Sequence, residues 1–179
     1  MIRAMSFLDW LRGPDAARSH AHGDTQTVRR IVGELDKLEP DRARYLASFA
    51  YVMSRVARAD LNVSQVETDK MVEILQRVGG LPEEQALLVV EIAKSQSRIF
   101  GGTEDFLVTR EFRELATDAQ RREALDCLFA VSAADDVITA EEEGQIWQIA
   151  SELGFAHDEY IAARLKYTDK RSVMRRDPS

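Results

Sequence analysis

Residues 57–79, ARADLNVSQVETDKMVEILQRVG, decide how this chain is read, because residues 132–154, SAADDVITAEEEGQIWQIASELG, repeat them at a constant offset of 75. Ala59 falls on Ala134, Asp60 on Asp135, Glu67 on Glu142, Ile74 on Ile149 and Gly79 on Gly154. Each copy reads as a helix end, an acidic turn, a capped helix start, an apolar helical stripe and a terminating glycine. Ser64-x-x-Glu67 and Thr139-x-x-Glu142 are capping boxes. In each, the hydroxyl accepts from the third helical N–H while the glutamate reaches back to the N–H of the cap residue. Met71, Ile74, Leu75 and Val78 form the first stripe; Ile146, Ile149, Ala150 and Leu153 form the second. Gly79-Gly80 and Gly154 supply the left-handed residue that ends a helix.

Helical periodicity continues outward from both copies. Val28, Ile31, Val32, Leu35 and Leu38 mark one helix, closed by Glu39-Pro40. Asp41 caps the next, which runs to about Ala59 with Leu46, Phe49, Ala50, Met53 and Ala57 inward and Tyr45 and Tyr51 at its margins. Between the copies, Pro82 fits a first helical position and Glu83 and Glu84 suit the positive end of the helix dipole. That helix runs through Leu88 and Ile92 to Ile99, where Gly101-Gly102 breaks it. Thr103 caps a shorter helix carrying Val108, Phe112 and Leu115, and another starts near Asp118 with Ala124, Leu128 and Val131 inward. A last helix spans about Asp158 to Tyr167. No segment alternates at period two for long enough to be a strand. The expectation is an all-α, compact single-domain bundle of seven to eight helices with an internal pseudo-repeat. Its domain covers residues 25–168, with halves at about 41–99 and 118–167. Residues 1–24 are an amphipathic segment and linker, and residues 169–179 are a basic tail expected to fray.

A chain of 179 residues suits one domain with a sizeable core. Its net charge of −7 and pI of about 5.1 argue against nucleic acid, whose phosphates require basic patches. The single cysteine, Cys127, allows no internal disulfide. It lies in the apolar run ALDCLFAV and reads as a buried small hydrophobe, which fits a cytoplasmic compartment. No run approaches the roughly 18 apolar residues of a membrane span. In residues 2–12, Ile2, Met5, Leu8 and Leu11 share a helical face that either folds back on the core or associates weakly with a membrane surface or a partner.

Searches for catalytic patterns return no phosphate-binding glycine loop, nucleophile elbow, HExxH or CxxC, so an enzyme is not expected. His20 and His22 lie in the linker and His157 near a helix start. The oxygen spacing of an EF-hand is absent. The acidic turns stand above this background: Asp60 and Glu67 flank one helix–turn–helix corner, and Asp135, Asp136 and Glu142 flank the other. Spacing leaves two readings open. The carboxylates of a corner can converge on a hard cation such as Ca²⁺ or Mg²⁺, helped by turn carbonyls. Alternatively the aspartate closes its own turn through backbone N–H groups and the glutamate completes the capping box.

The paired Ala-Asp-x-x-(Val/Ile)-(Ser/Thr)-x-x-Glu motifs, the stripe after each and the opening Met5–Arg12, MSFLDWLR, resemble the TerB-like tellurite-resistance family. The resemblance covers roughly Asp41 to Tyr167 and the N-terminal segment. It implies an all-α fold with an internal repeat, a link to bacterial stress or metal resistance, and divalent-cation ligands at Asp60, Glu67, Asp135 and Glu142, with Asp136 an addition of this chain. It also implies that the fold can act as a protein-docking module, as in the related N-terminal domain of a membrane-anchored co-chaperone. Where the family pattern has glycine after the aspartate, this chain has Leu61 and Asp136. A positive φ there suits aspartate better than leucine, so cation binding is expected to be easier at the second corner.

Overall fold

In a computed structural model, which describes residues 26–56, 64–99, 105–134 and 136–171, the apolar stripes within those residues become helices. Eight α-helices occur among them: α1 (Gln26–Leu35), α2 (Pro40–Ser54), α3 (Gln65–Arg77), α4 (Glu83–Ile99), α5 (Asp105–Leu115), α6 (Asp118–Ala133), α7 (Ala140–Glu152) and α8 (His157–Leu165). A 3-10 turn, Thr168–Lys170, follows. The described residues contain no strand, only an isolated parallel bridge between Ile138 and Arg171. The all-α expectation holds. The expected helix at residues 2–12, the Asp60 turn, the Thr103 cap and Asp135 itself lie outside the described residues.

α2 is the hub. It packs against α4 and α5 and touches α6. Every residue from Tyr45 to Met53 is buried. This corrects the expectation of a one-sided helix with Tyr45 and Tyr51 at its margins, because both tyrosines lie inside. A helix surrounded by neighbours has no solvent face, so the amphipathic template fails there. Its one polar residue in that run besides the tyrosines, Ser48, is satisfied by donating back to the Arg44 and Tyr45 carbonyls at 2.8 and 3.0 Å. Tyr45, Phe49 and Phe112 stack with ring centroids 5.5 to 6.0 Å apart, each pair contributing about 0.5–1.5 kcal/mol beyond its buried area. Burial pushes the Tyr45 hydroxyl up to about 12, with Arg42 opposing.

The repeat is exact in register at its second helix: α3 and α7 are both 13 residues long, and Gln65 and Ala140 begin them 75 positions apart. Both are followed by a left-handed glycine, but not at equivalent positions. Gly154 has φ +87° and follows the Leu153 cap directly, whereas in the first copy Gly80, with φ +62°, takes that conformation. Gly79 serves closeness instead: a Cβ there would sit 2.8 Å from the Leu75 carbonyl oxygen and 3.2 Å from Cys127 Sγ on α6. Cys127 is fully buried. Burial, then the Asp126 and Glu123 charges, push its thiol up to about 12, which makes it inert at neutral pH.

One buried apolar cluster runs through both halves, from Ile31 and Leu35 on α1 to Tyr160 and Ala163 on α8. The segment after α8 joins it. Tyr167 stacks on Phe129 with centroids 5.6 Å apart, and the Ile138 N–H donates to the Lys170 carbonyl at 2.7 Å. Residues 169–171 are therefore part of the fold rather than a frayed tail.

Candidate functional site

The two acidic corners were the sequence-predicted site, and their glutamates are committed to helix starts. Ahead of α3, the Glu67 N–H donates to Ser64 Oγ at 3.2 Å and the Ser64 N–H donates to Glu67 Oε2 at 2.6 Å. The Ser64 side chain and the Ser64 backbone N–H hold the Glu67 carboxyl below its ordinary range, Lys70 adding a smaller pull. Ahead of α7, the Glu142 N–H donates to Thr139 Oγ1 at 3.2 Å, while the Thr139 N–H and hydroxyl both donate to Glu142 Oε2 at 2.8 Å. Each box satisfies two of the N–H groups that a helix start leaves orphaned.

A third box, between Thr117 and Gln120 at the start of α6, escaped the sequence reading. The Thr117 N–H donates to Gln120 Oε1 at 2.9 Å. The Thr-x-x-Gln pattern was there to be read, since glutamine serves the box as glutamate does.

Asp136 takes a left-handed φ of +68°, a conformation that glycine favours. Its N–H donates to the Ala133 carbonyl at 3.0 Å, and its carboxylate accepts from Lys170 Nζ at 2.8 Å. The next basic residue, Arg171, grips Glu143 on the first turn of α7 through both Nε and Nη2, both side chains being only 12% exposed. The Tyr160 hydroxyl donates to the Glu143 carbonyl at 3.3 Å. The second corner is thus strapped from outside by Thr168–Arg171. Among the described residues, no three histidine, cysteine, aspartate or glutamate side chains come together as ion ligands. Asp60 and Asp135 lie outside those residues.

Sequence reasoning missed two further features. The first is a buried charge cluster at the end of α2. The Arg55 side chain is 2% exposed and Glu152, at the end of α7, is 11% exposed. Arg55 Nη1 donates to Glu152 Oε2 at 2.5 Å and to Thr109 Oγ1 at 2.7 Å, and Arg55 Nε lies 3.7 Å from Asp105. Asp105 in turn accepts from the Tyr51 hydroxyl at 2.9 Å. The cluster ties the first copy to the second through α5. An arginine beside a helix end carries no sign in sequence that it will be buried.

The second is a groove of about 420 Å³ where α3, the end of α6 and residues 166–170 meet. Ile74, Val78, Ala133 and Tyr167 line its apolar part. Lys70, Arg77, Lys166 and Lys170 stand around it with the acids Glu73 and Asp169. It brings together residues from both copies, which are far apart in the chain.

No helix among the described residues is long and apolar enough to cross a membrane. Comparison with curated proteins and with solved structures finds no match. The family model described as tellurite resistance protein TerB matches residues 45–165, from the buried run of α2 to the last residue of α8. That span holds both corners and both repeat helices, and the chain belongs to the TerB family.

Proposed function

We propose that this chain is a non-catalytic docking module of the TerB kind, acting with a protein partner in a stress or tellurite- and metal-resistance response in the cytoplasm. Its acidic corners serve the fold. The observation that carries this reading is the engagement of Glu142, whose Oε2 receives both the Thr139 N–H and the Thr139 hydroxyl at 2.8 Å. Glu67 Oε2 receives the Ser64 N–H at 2.6 Å. A carboxylate oxygen already receiving two donors is a poorer cation ligand, since binding must first break those bonds. The Lys170 ammonium on Asp136 opposes a cation further. The groove between the copies gives the module a concave surface built by the repeat itself.

Divalent-cation binding is the second reading. It draws support from the three consecutive glutamates, Glu141 to Glu143, in the first turn of α7, shortly after Asp136 in the chain. Calorimetric titration of the full chain with Ca²⁺, Mg²⁺ and Mn²⁺ separates the two. The docking reading expects no heat at millimolar cation, and saturable heat of binding would give the corners to a metal.

A further inference from the structure

We infer that the second corner is a docking site for a Lys-Arg pair on a partner protein, and that the chain's own Lys170-Arg171 fills it as an autoinhibitory strap. This rests on the docking reading and adds the surface and the chemistry of the partner. The corner offers a backbone edge and two carboxylates. The Ile138 N–H donates to the Lys170 carbonyl at 2.7 Å, and Arg171, extended at φ −75° and ψ 128°, forms the parallel bridge to Ile138. Main-chain bonding along an edge is a recurring way to hold a peptide, with side-chain sites supplying the choice of sequence.

The two side-chain sites differ in what they accept. Asp136, whose side chain is 79% exposed, takes the Lys170 ammonium at 2.8 Å. Glu143 takes Arg171 through both Nε and Nη2, the Nη2 bond being 3.1 Å, with both side chains 12% exposed. A two-pronged grip of this kind suits the planar guanidinium and not a lysine. Tyr160, itself buried, donates to the Glu143 carbonyl at 3.3 Å and holds that turn in place. Residues 136–143 carry four acids, Asp136, Glu141, Glu142 and Glu143, and no base. The two strap cations leave that stretch net acidic, so it still attracts a basic segment while the strap is closed.

The strap can leave without unravelling the fold. No residue of Thr168–Lys170 is buried. Tyr167, stacked on Phe129 with centroids 5.6 Å apart, anchors the chain just before it, so the basic pair can swing away without drawing apolar side chains of its own out of the core. One backbone bond and two ion pairs tie it to the corner. A segment with few buried apolar contacts is of the kind that opens locally, at less cost than global unfolding.

The first copy closes the same place without a strap. At the offset of 75, Glu143 corresponds to Thr68, and Thr68 Oγ1 accepts from Lys94 Nζ at 3.1 Å. Lys94 belongs to α4, which runs for 17 residues, whereas its counterpart α8 stops after 9 and gives way to the strap. The first copy thus meets this turn with a continuous helix and a hydroxyl contact. A carboxylate gripping a separate Lys-Arg segment belongs to the second copy alone, so the repeat architecture does not account for it.

A labelled peptide of residues 168–173, TDKRSV, titrated with the full chain and followed by fluorescence anisotropy, tests this. Lys170→Ser with Arg171→Ser removes both strap cations. The peptide should bind that variant at least about tenfold more tightly than wild type, whose own strap competes at a high effective concentration. The peptide TDRKSV, equal in charge but reversed in order, should bind the variant at least about threefold more weakly, because lysine cannot make the two-pronged grip on Glu143. Adding Glu143→Gln to the variant should remove the gain. Circular dichroism shows whether each variant stays folded. If the double variant does not, Arg171→Lys, which keeps the charge and loses the fork, takes its place and should bind TDKRSV at least about threefold more tightly than wild type. Equal binding to wild type and variant, indifference to residue order, or no binding at millimolar peptide would overturn the inference. A wild-type dimer that Lys170→Ser/Arg171→Ser abolishes would also overturn it, by making a second copy the occupant. If the peptide fails and calorimetry shows no cation heat, the strap inference alone falls. If the peptide fails and cation heat appears, the docking reading falls with it.

Discussion

The Ile138 N–H donates to the Lys170 carbonyl at 2.7 Å, so the segment after α8 closes over a corner that precedes it by more than thirty residues. Ile138 is fully buried beneath that bond. Lys170 and Arg171 then neutralise Asp136 and Glu143 on either side of it. Arg171→Ala should therefore destabilise the fold by about 1–3 kcal/mol, since Glu143 is mostly buried and loses its charged partner. Lys170→Ala, removing a largely exposed pair, should cost under about 1 kcal/mol. Denaturant midpoints for the two variants check the order, and equal effects would contradict the strap.

The three capping boxes predict equivalent losses. Ser64→Ala, Thr117→Ala and Thr139→Ala should each cost about 1 kcal/mol by chemical denaturation. An unchanged midpoint in all three would mean that these helices gain nothing from their caps.

The Arg55 cluster predicts strong coupling. Arg55→Ala or Glu152→Ala alone strands a buried charge and should cost about 3–5 kcal/mol. Arg55→Met with Glu152→Met should cost less than the two single losses added together, because neither charge is left unpaired. A double-mutant cycle with no coupling energy would contradict the buried pair.

The first corner predicts an acid limb. Ser64 holds the folded Glu67 carboxyl below its ordinary range. A depressed folded value means that the stabilisation is present above the unfolded carboxyl range and is lost as pH falls through the folded value. Glu67→Gln should flatten the fall in melting temperature on acidification relative to wild type. NMR titration of Glu67 in Ser64→Ala should return its midpoint toward the ordinary carboxylate range.

Much of this was legible in the sequence. The fixed offset between Ser64-x-x-Glu67 and Thr139-x-x-Glu142 located both repeat helices, because caps and stripes are local signals within a few residues of one another. What was not legible depends on contacts made far along the chain. Tyr45 and Tyr51 looked marginal because nothing local says that α2 is surrounded. Arg55 carried no sign of burial because its partner Glu152 is 97 positions away. Lys170 and Arg171 looked like tail because their partners lie on a corner some thirty positions back. At the corners themselves, spacing placed the glutamates correctly on the chain but could not choose between a cation and a cap.

That choice is the account's central claim, and Glu142→Gln tests it most directly. Gln120 already does in the third box what glutamate does in the other two, its Oε1 accepting the Thr117 N–H at 2.9 Å. A glutamine at position 142 keeps an acceptor for the Thr139 N–H and removes only the charge. Melting temperatures of wild type, Glu142→Gln and Glu142→Ala are measured in chelator and in millimolar Ca²⁺, Mg²⁺ and Mn²⁺. The account predicts that Glu142→Gln stays close to wild type, that Glu142→Ala loses about 1 kcal/mol, and that none of the three responds to cation. A wild type stabilised by cation, with that gain lost in Glu142→Gln, would contradict it.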